Sequence, residues 1–122
     1  MNWEVDFYED DEGNYPVEAF LLSLEPKAQA KLLQVLQLLE DLGVSLGFPY
    51  SSQIDGRLRE LRTQYGKDKY RIFYYADPSR TFKLLHAFRK RTDKVSEKDK
   101  KLAIERMQKD MRKVNERLKD NE

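Results

Sequence analysis

The chain contains no cysteine. Disulfide frameworks, thiolate-held zinc and thiol nucleophiles are therefore excluded. It has one histidine, His86. One imidazole cannot build a histidine-rich metal site, and a histidine-centred triad would have no cysteine nucleophile to serve. No run approaches the ~20 consecutive apolar residues of a membrane span. The first ten residues, MNWEVDFYED, are acidic and lack the basic and apolar regions of a signal peptide. β-Branched residues are few in the segments that alternate like strands. Together these absences predict a soluble, cytoplasmic protein with no membrane partner, no metal and no cofactor.

What is present is charge. Of 122 residues, 37% are charged and 39% hydrophobic, and the mean hydropathy is −0.85. The length suits one domain, 1–122, with enough buried surface for a real core. The formal net charge of +1, taken alone, argues against a nucleic-acid partner. It is a cancellation. Residues 1–50 carry ten acids against two bases, a net of −8, and residues 51–122 carry 21 bases against 12 acids, a net of +9. Such asymmetry points to an anionic partner for the basic part.

Patterning then assigns elements. Trp3, Val5 and Phe7 alternate with Glu4, Asp6 and Tyr8, a period-two strand. After the EDDEGN turn, Asn14 is placed to cap a short helix with Pro16 in its first turn. Residues 26–42 repeat Ala28, Leu32, Val35, Leu36 and Leu39 at helical spacing, with Gly43 as C-cap. Residues 43–56 read as a loop. Strands are predicted over 57–65, 69–76 and 81–89, joined by short turns into an antiparallel meander. Ser96 begins a capping-box-like SEKD sequence, and Ile104, Met107, Met111, Val114 and Leu118 stripe a helix running to about Leu118. That stripe either packs on the core or meets a partner helix. The order β-α-α-β-β-β-α defines an α+β domain in three parts: an acidic strand and helical hairpin (1–50), a basic three-strand meander (57–94) and a C-terminal helix (96–118). Helices are expected on one face of the sheet only.

Residues 57–94 hold twelve bases against four acids, a net of +8. Tyr65, Tyr70, Phe73, Tyr74, Tyr75 and Phe88 interleave with them. On an uncovered sheet face, guanidinium groups would hold phosphates and rings would stack bases. The competing reading is a solvated face over ordinary aromatic packing.

The runs LRELR (58–62), YRIFYYA (70–76) and LLHAFRKRTDK (84–94), followed by a charged helix, resemble the RelE/ParE toxin superfamily, above all its HigB-like, phage-derived branch. The likeness spans nearly the whole chain in the same element order. It implies a RelE-like fold and the toxin half of a type II toxin–antitoxin pair. It also implies a cytoplasmic mRNA endoribonuclease acting on mRNA on the ribosome, and a cognate antitoxin, expected to be a helix-turn-helix protein. The implied chemistry is metal-free attack by an RNA 2′-hydroxyl on the adjacent phosphorus. A ParE-like gyrase inhibitor and a non-catalytic remnant that only binds RNA or a partner are the alternatives.

Site residues follow from the same resemblance. Arg71 matches the strand arginine of the Tyr-Arg motif, the candidate for phosphate stabilisation. Arg62 matches the arginine of the Glu-Leu-Arg strand, and Glu60 on the same face is either a base or the ion-pair partner that orients Arg62. Lys90 and Arg91 match a basic pair at the end of the last strand, there to neutralise the phosphorane or supply a proton. His86 is either a hydrogen-bonded structural residue or one that supports a catalytic group or acts as one itself. Arg57, Arg59, Lys69, Tyr70, Arg89, Arg91 and Lys94 complete the expected RNA-binding set. Many relatives have proline where this chain has Val95-Ser96. The tail RLKDNE lacks the tyrosine or histidine that some active relatives carry near the C-terminus, which leaves Tyr65, Tyr70, His86 or Lys90 to fill that role.

Overall fold

A computed structural model describes residues 2–92, 94 and 96–121. The elements are β1 (Val5–Phe7), α1 (Pro16–Leu22), α2 (Pro26–Leu42), a 3₁₀ turn (Gly43–Ser45), β2 (Ser51–Asp55), β3 (Leu58–Tyr65), β4 (Asp68–Ala76), β5 (Phe82–Lys90) and α3 (Glu97–Asp120). The five strands form one sheet in the order β1-β5-β4-β3-β2. The predicted α+β class and the helices and strands that define it are present.

Three features depart from expectation. First, β2 lies in the segment read as a loop. Its sequence SSQID has little strand propensity, and it is held by antiparallel pairing with β3, Ser51 opposite Leu61 and Ser52 opposite Glu60. Second, β1 pairs in parallel with β5, Val5 opposite Phe82. The helical hairpin between them provides the crossover that parallel pairing requires. Third, the sheet is covered on both faces, not one. The hairpin packs Val17, Leu21, Ala28, Leu32, Leu36 and Leu39 against Leu61, Tyr70, Ile72, Tyr74, Phe82 and Leu84. On the other face, α3 brings Ala103, Ile104, Met107 and Met111 against Leu58, Phe73, Tyr75 and Leu85. The stripe of α3 thus serves the protein's own core, except at Leu118, which is exposed.

Local signals explain the ends of these elements. Ser96 caps α3 by accepting a hydrogen bond from the Asp99 amide. Asn14 does not cap α1: the N-cap position is Tyr15, without a side-chain cap, and the Asn14 amide instead donates to Asp10 Oδ1. Gly43 ends α2 with φ +55, and the Trp3 indole lies where its Cβ would stand, 2.2 Å away. Only glycine gives both that backbone conformation and that approach. The Trp3 amide donates to the Glu40 carbonyl at 2.7 Å, fastening the N-terminus to the same helix end.

Candidate functional site

The β3–β4 turn contains Gly66 at φ +63 and fixes the register of the pair. Arg62 lies opposite Arg71, and Glu60 opposite Phe73. Across to β5, Arg71 lies opposite Phe88, Phe73 opposite His86 and Lys69 opposite Lys90. Side chains two apart share a face. Glu60, Arg62, Lys69, Arg71, His86, Phe88 and Lys90 therefore stand on the α3 side of the sheet, with His86 and Phe88 against the start of that helix.

Glu60 and Arg71 are buried there, 5% and 4% exposed. Glu60 Oε1 is 3.7 Å from Arg62 Nε and Oε2 is 3.9 Å from Arg71 Nε, so one carboxylate serves both guanidinium groups. Ser52 on β2 donates to Oε1 at 3.4 Å, and Arg71 Nη1 donates to the Tyr70 carbonyl at 3.0 Å. Glu60 Oε2 is enclosed and accepts no hydrogen bond from the described residues. A buried acceptor with unused capacity beside two arginines marks a polar centre more than a packing contact.

Arg62 is the outer member, its side chain 32% exposed, and its guanidinium lies over the Phe48 ring at 5.4 Å. Phe48, Pro49, Tyr50, Arg62, Thr63, Gln64, Lys69 and Arg71 line a cleft of about 390 Å³. Phe48 is 77% exposed and Tyr50 48%. Neither was singled out from the sequence. The only signal was two aromatic residues flanking a proline in a segment read for its turn residues.

His86 is half-buried. Its Nε2 is 2.7 Å from Asp99 Oδ1 in the first turn of α3, and its ring stacks on Phe88 at 5.3 Å. The imidazole thus ties β5 to the start of α3. Lys90, half-buried, sits across from Lys69 at the strand end.

The expected RNA-binding residues do not share one surface. Tyr70 is buried, 3% exposed, and packs edge-on against Phe20. Phe73, Tyr74 and Tyr75 are likewise core. Arg59 points to the hairpin side, where Nη2 donates to Ser51 Oγ at 3.0 Å, and with Arg57 it borders a separate cavity beside Gly43 and Val44. Arg89, opposite Tyr70, borders another beside Glu25 and Tyr65. Arg91 is exposed and paired with Asp68 at 3.0 Å. Lys94 is exposed.

A second polar centre lies where β5 and β4 meet the C-terminal half of α3. Lys83 Nζ is 3.1 Å from Asp110 Oδ1 and 3.5 Å from Asp77 Oδ2. Tyr75 donates its hydroxyl to Asp110 Oδ2 at 2.5 Å. Burial, then the hydrogen bond to Asp110, holds the Tyr75 phenol far above its ordinary pKa. Among the described residues, no group of three or more His, Cys, Asp or Glu side chains is arranged to hold a metal ion. No helix among them is long and apolar enough to cross a membrane.

A parallel edge strand, a helical hairpin, an antiparallel meander and a C-terminal helix, with a Glu–Arg–Arg centre at the sheet's open end, describe a small α+β protein compatible with the RelE-like toxin fold. The family model for Phage derived protein Gp49-like (DUF891) matches residues 19–108, which run from within α1 through α2 and the meander to the middle of α3. The chain belongs to that family, one of RelE-like toxins of toxin–antitoxin systems. The family's association with toxin–antitoxin pairs suggests an antitoxin as partner. The HigB-like branch is not distinguished by this match. No curated protein matches the chain.

Proposed function

We propose that this chain is the toxin of a type II toxin–antitoxin pair and that it acts in the cytoplasm as a ribosome-dependent mRNA endoribonuclease. The supporting observation is the Glu60–Arg62–Arg71 centre beside an open cleft. Two guanidinium groups are held together by one buried carboxylate, as a dianionic phosphorane would require. In this reading the RNA 2′-oxygen attacks the adjacent phosphorus and the P–O5′ bond breaks. A 2′,3′-cyclic phosphate and a 5′-hydroxyl result. The 2′-hydroxyl proton passes to a base, and the leaving 5′-oxygen receives one from an acid.

Arg62 and Arg71 stabilise the developing charge. Glu60 orients them, since its carboxylate faces both. Lys90 and Lys69 neutralise the flanking phosphates, and Lys90 is the candidate proton donor. His86 acts as a positioning residue through its bond to Asp99. Arg91 and Lys94 extend the electrostatic footprint beyond the cleft. Arg57, Arg59 and Arg89 lie elsewhere and contribute to long-range attraction only.

The test is induction of the chain in cells and in a translating extract. Wild type should arrest growth and cut translated mRNA, leaving 5′-hydroxyl ends. Arg71→Ala should abolish both. Undiminished toxicity of Arg71→Ala would sink the site assignment. Intact transcripts with accumulating DNA breaks would favour gyrase inhibition, and no growth effect at all would favour a non-catalytic remnant.

A further inference from the structure

Phe48 is the most exposed of the large apolar side chains in the described residues, at 77%. An isolated exposed ring needs no explanation. This one is not isolated. Its face carries the Arg62 guanidinium at 5.4 Å, and the same Arg62 is paired with Glu60 at 3.7 Å. The ring and the guanidinium are two flat surfaces at the border of a cleft that also contains Tyr50, Lys69 and Arg71. Cations within one cleft suit an anionic chain, and an exposed ring suits a planar apolar group. One ligand carries both, namely single-stranded RNA with an unpaired base.

We propose that Phe48 is a specificity-determining residue whose ring, with Arg62 behind it, stacks one unpaired base of the RNA. Lys69 and Arg71 face a phosphate of the nucleotide that carries that base. The inference rests on the endoribonuclease reading for its substrate class, and it adds the requirement that the base beside the cleft be unstacked. A duplex cannot satisfy it, because each base face is already covered by its neighbour.

The probe is an oligoribonucleotide with 2′-O-methyl groups at every sugar and one 2-aminopurine. It has no 2′-hydroxyl and cannot be cut. The wild-type chain should bind the single strand and quench 2-aminopurine fluorescence. Phe48→Trp should bind as well or better. Phe48→Ala should weaken binding by roughly 5- to 150-fold, the range for loss of one stacked base. The side chain is exposed, so melting temperature should not change. The same oligonucleotide in a duplex should bind weakly and without quenching. Binding of Phe48→Ala within twofold of wild type, equal binding of the duplex, or no binding by wild type would overturn the proposal. Cleavage of translated mRNA separates the two readings. If wild type does not cut but Phe48-dependent quenching holds, the nuclease reading fails and the stacking site stands. If Phe48→Ala binds and cuts like wild type, the stacking site fails and the nuclease reading stands.

Discussion

The Lys83 centre gives a prediction whose size can be worked from the structure. Replacing Lys83 with Met keeps most of the stem volume and removes the ammonium group. Asp77, whose side chain is fully enclosed, and Asp110, 6% exposed, then lose the cation between them. They are not left bare. Asp77 Oδ1 still accepts hydrogen bonds from the Ser79 amide and hydroxyl and from the Thr81 amide, and Asp110 Oδ2 keeps Tyr75. Their charges nonetheless remain buried without a counter-ion, and breaking such a pair costs about 3–5 kcal/mol. At about 2.1 cal/mol/K of unfolding entropy per residue, 1 kcal/mol in a chain of this length shifts Tm by about 4 °C. Lys83→Met should therefore melt about 12–20 °C lower, measured by circular dichroism, with an unchanged denaturant m-value. The triple variant Lys83→Met, Asp77→Asn, Asp110→Asn should recover most of that loss, since it buries no charge. A fall of less than about 4 °C for Lys83→Met, or no recovery in the triple variant, would refute the account of this centre as a charge-balanced network.

Two further expectations concern stability. Gly43→Ala should destabilise by more than the ~1 kcal/mol of an ordinary glycine substitution, because the added Cβ meets the Trp3 indole at 2.2 Å and the residue sits at φ +55. Urea unfolding followed by circular dichroism and Trp3 fluorescence checks this, and Gly43→Ala with wild-type stability would show that the contact yields freely. Tyr75 has a folded-state pKa raised above its unfolded value. Its contribution is fully present below about pH 10, the unfolded value, and is lost as pH rises beyond it, because only the unfolded chain releases that proton. Stability should fall above about pH 10 less steeply in Tyr75→Phe than in wild type, as read by denaturant melts across alkaline pH.

Much of the fold was legible because it is written in local chemistry. The leucine spacing of α2, the serine cap of α3 and the alternating runs of β3, β4 and β5 depend on neighbours a few residues away. The site was legible only in part. The motif runs named Glu60, Arg62, Arg71 and Lys90, and the register does place them on one face. Alternation alone could not say which face α3 covers, so aromatic residues that looked available for stacking proved to be core. Tyr70 and Phe73 are of opposite parity on one strand and are buried by different helices. Phe48 and Tyr50 escaped notice for the opposite reason: nothing periodic marks a loop residue.

Composition and pattern by themselves determined the exclusion of cysteine chemistry, the segregation of charge that the net +1 conceals, the α+β class and the resemblance later matched by the Gp49-like family. Tertiary structure alone decided that β1 joins the sheet in parallel, that SSQID becomes a strand, and that the basic surface divides between two faces. It also decided that one glutamate holds two arginines from different strands beside an exposed phenylalanine. These are relations between residues far apart in the chain. They are set by pairing register and by which apolar surfaces find each other, and neither is encoded at any single position.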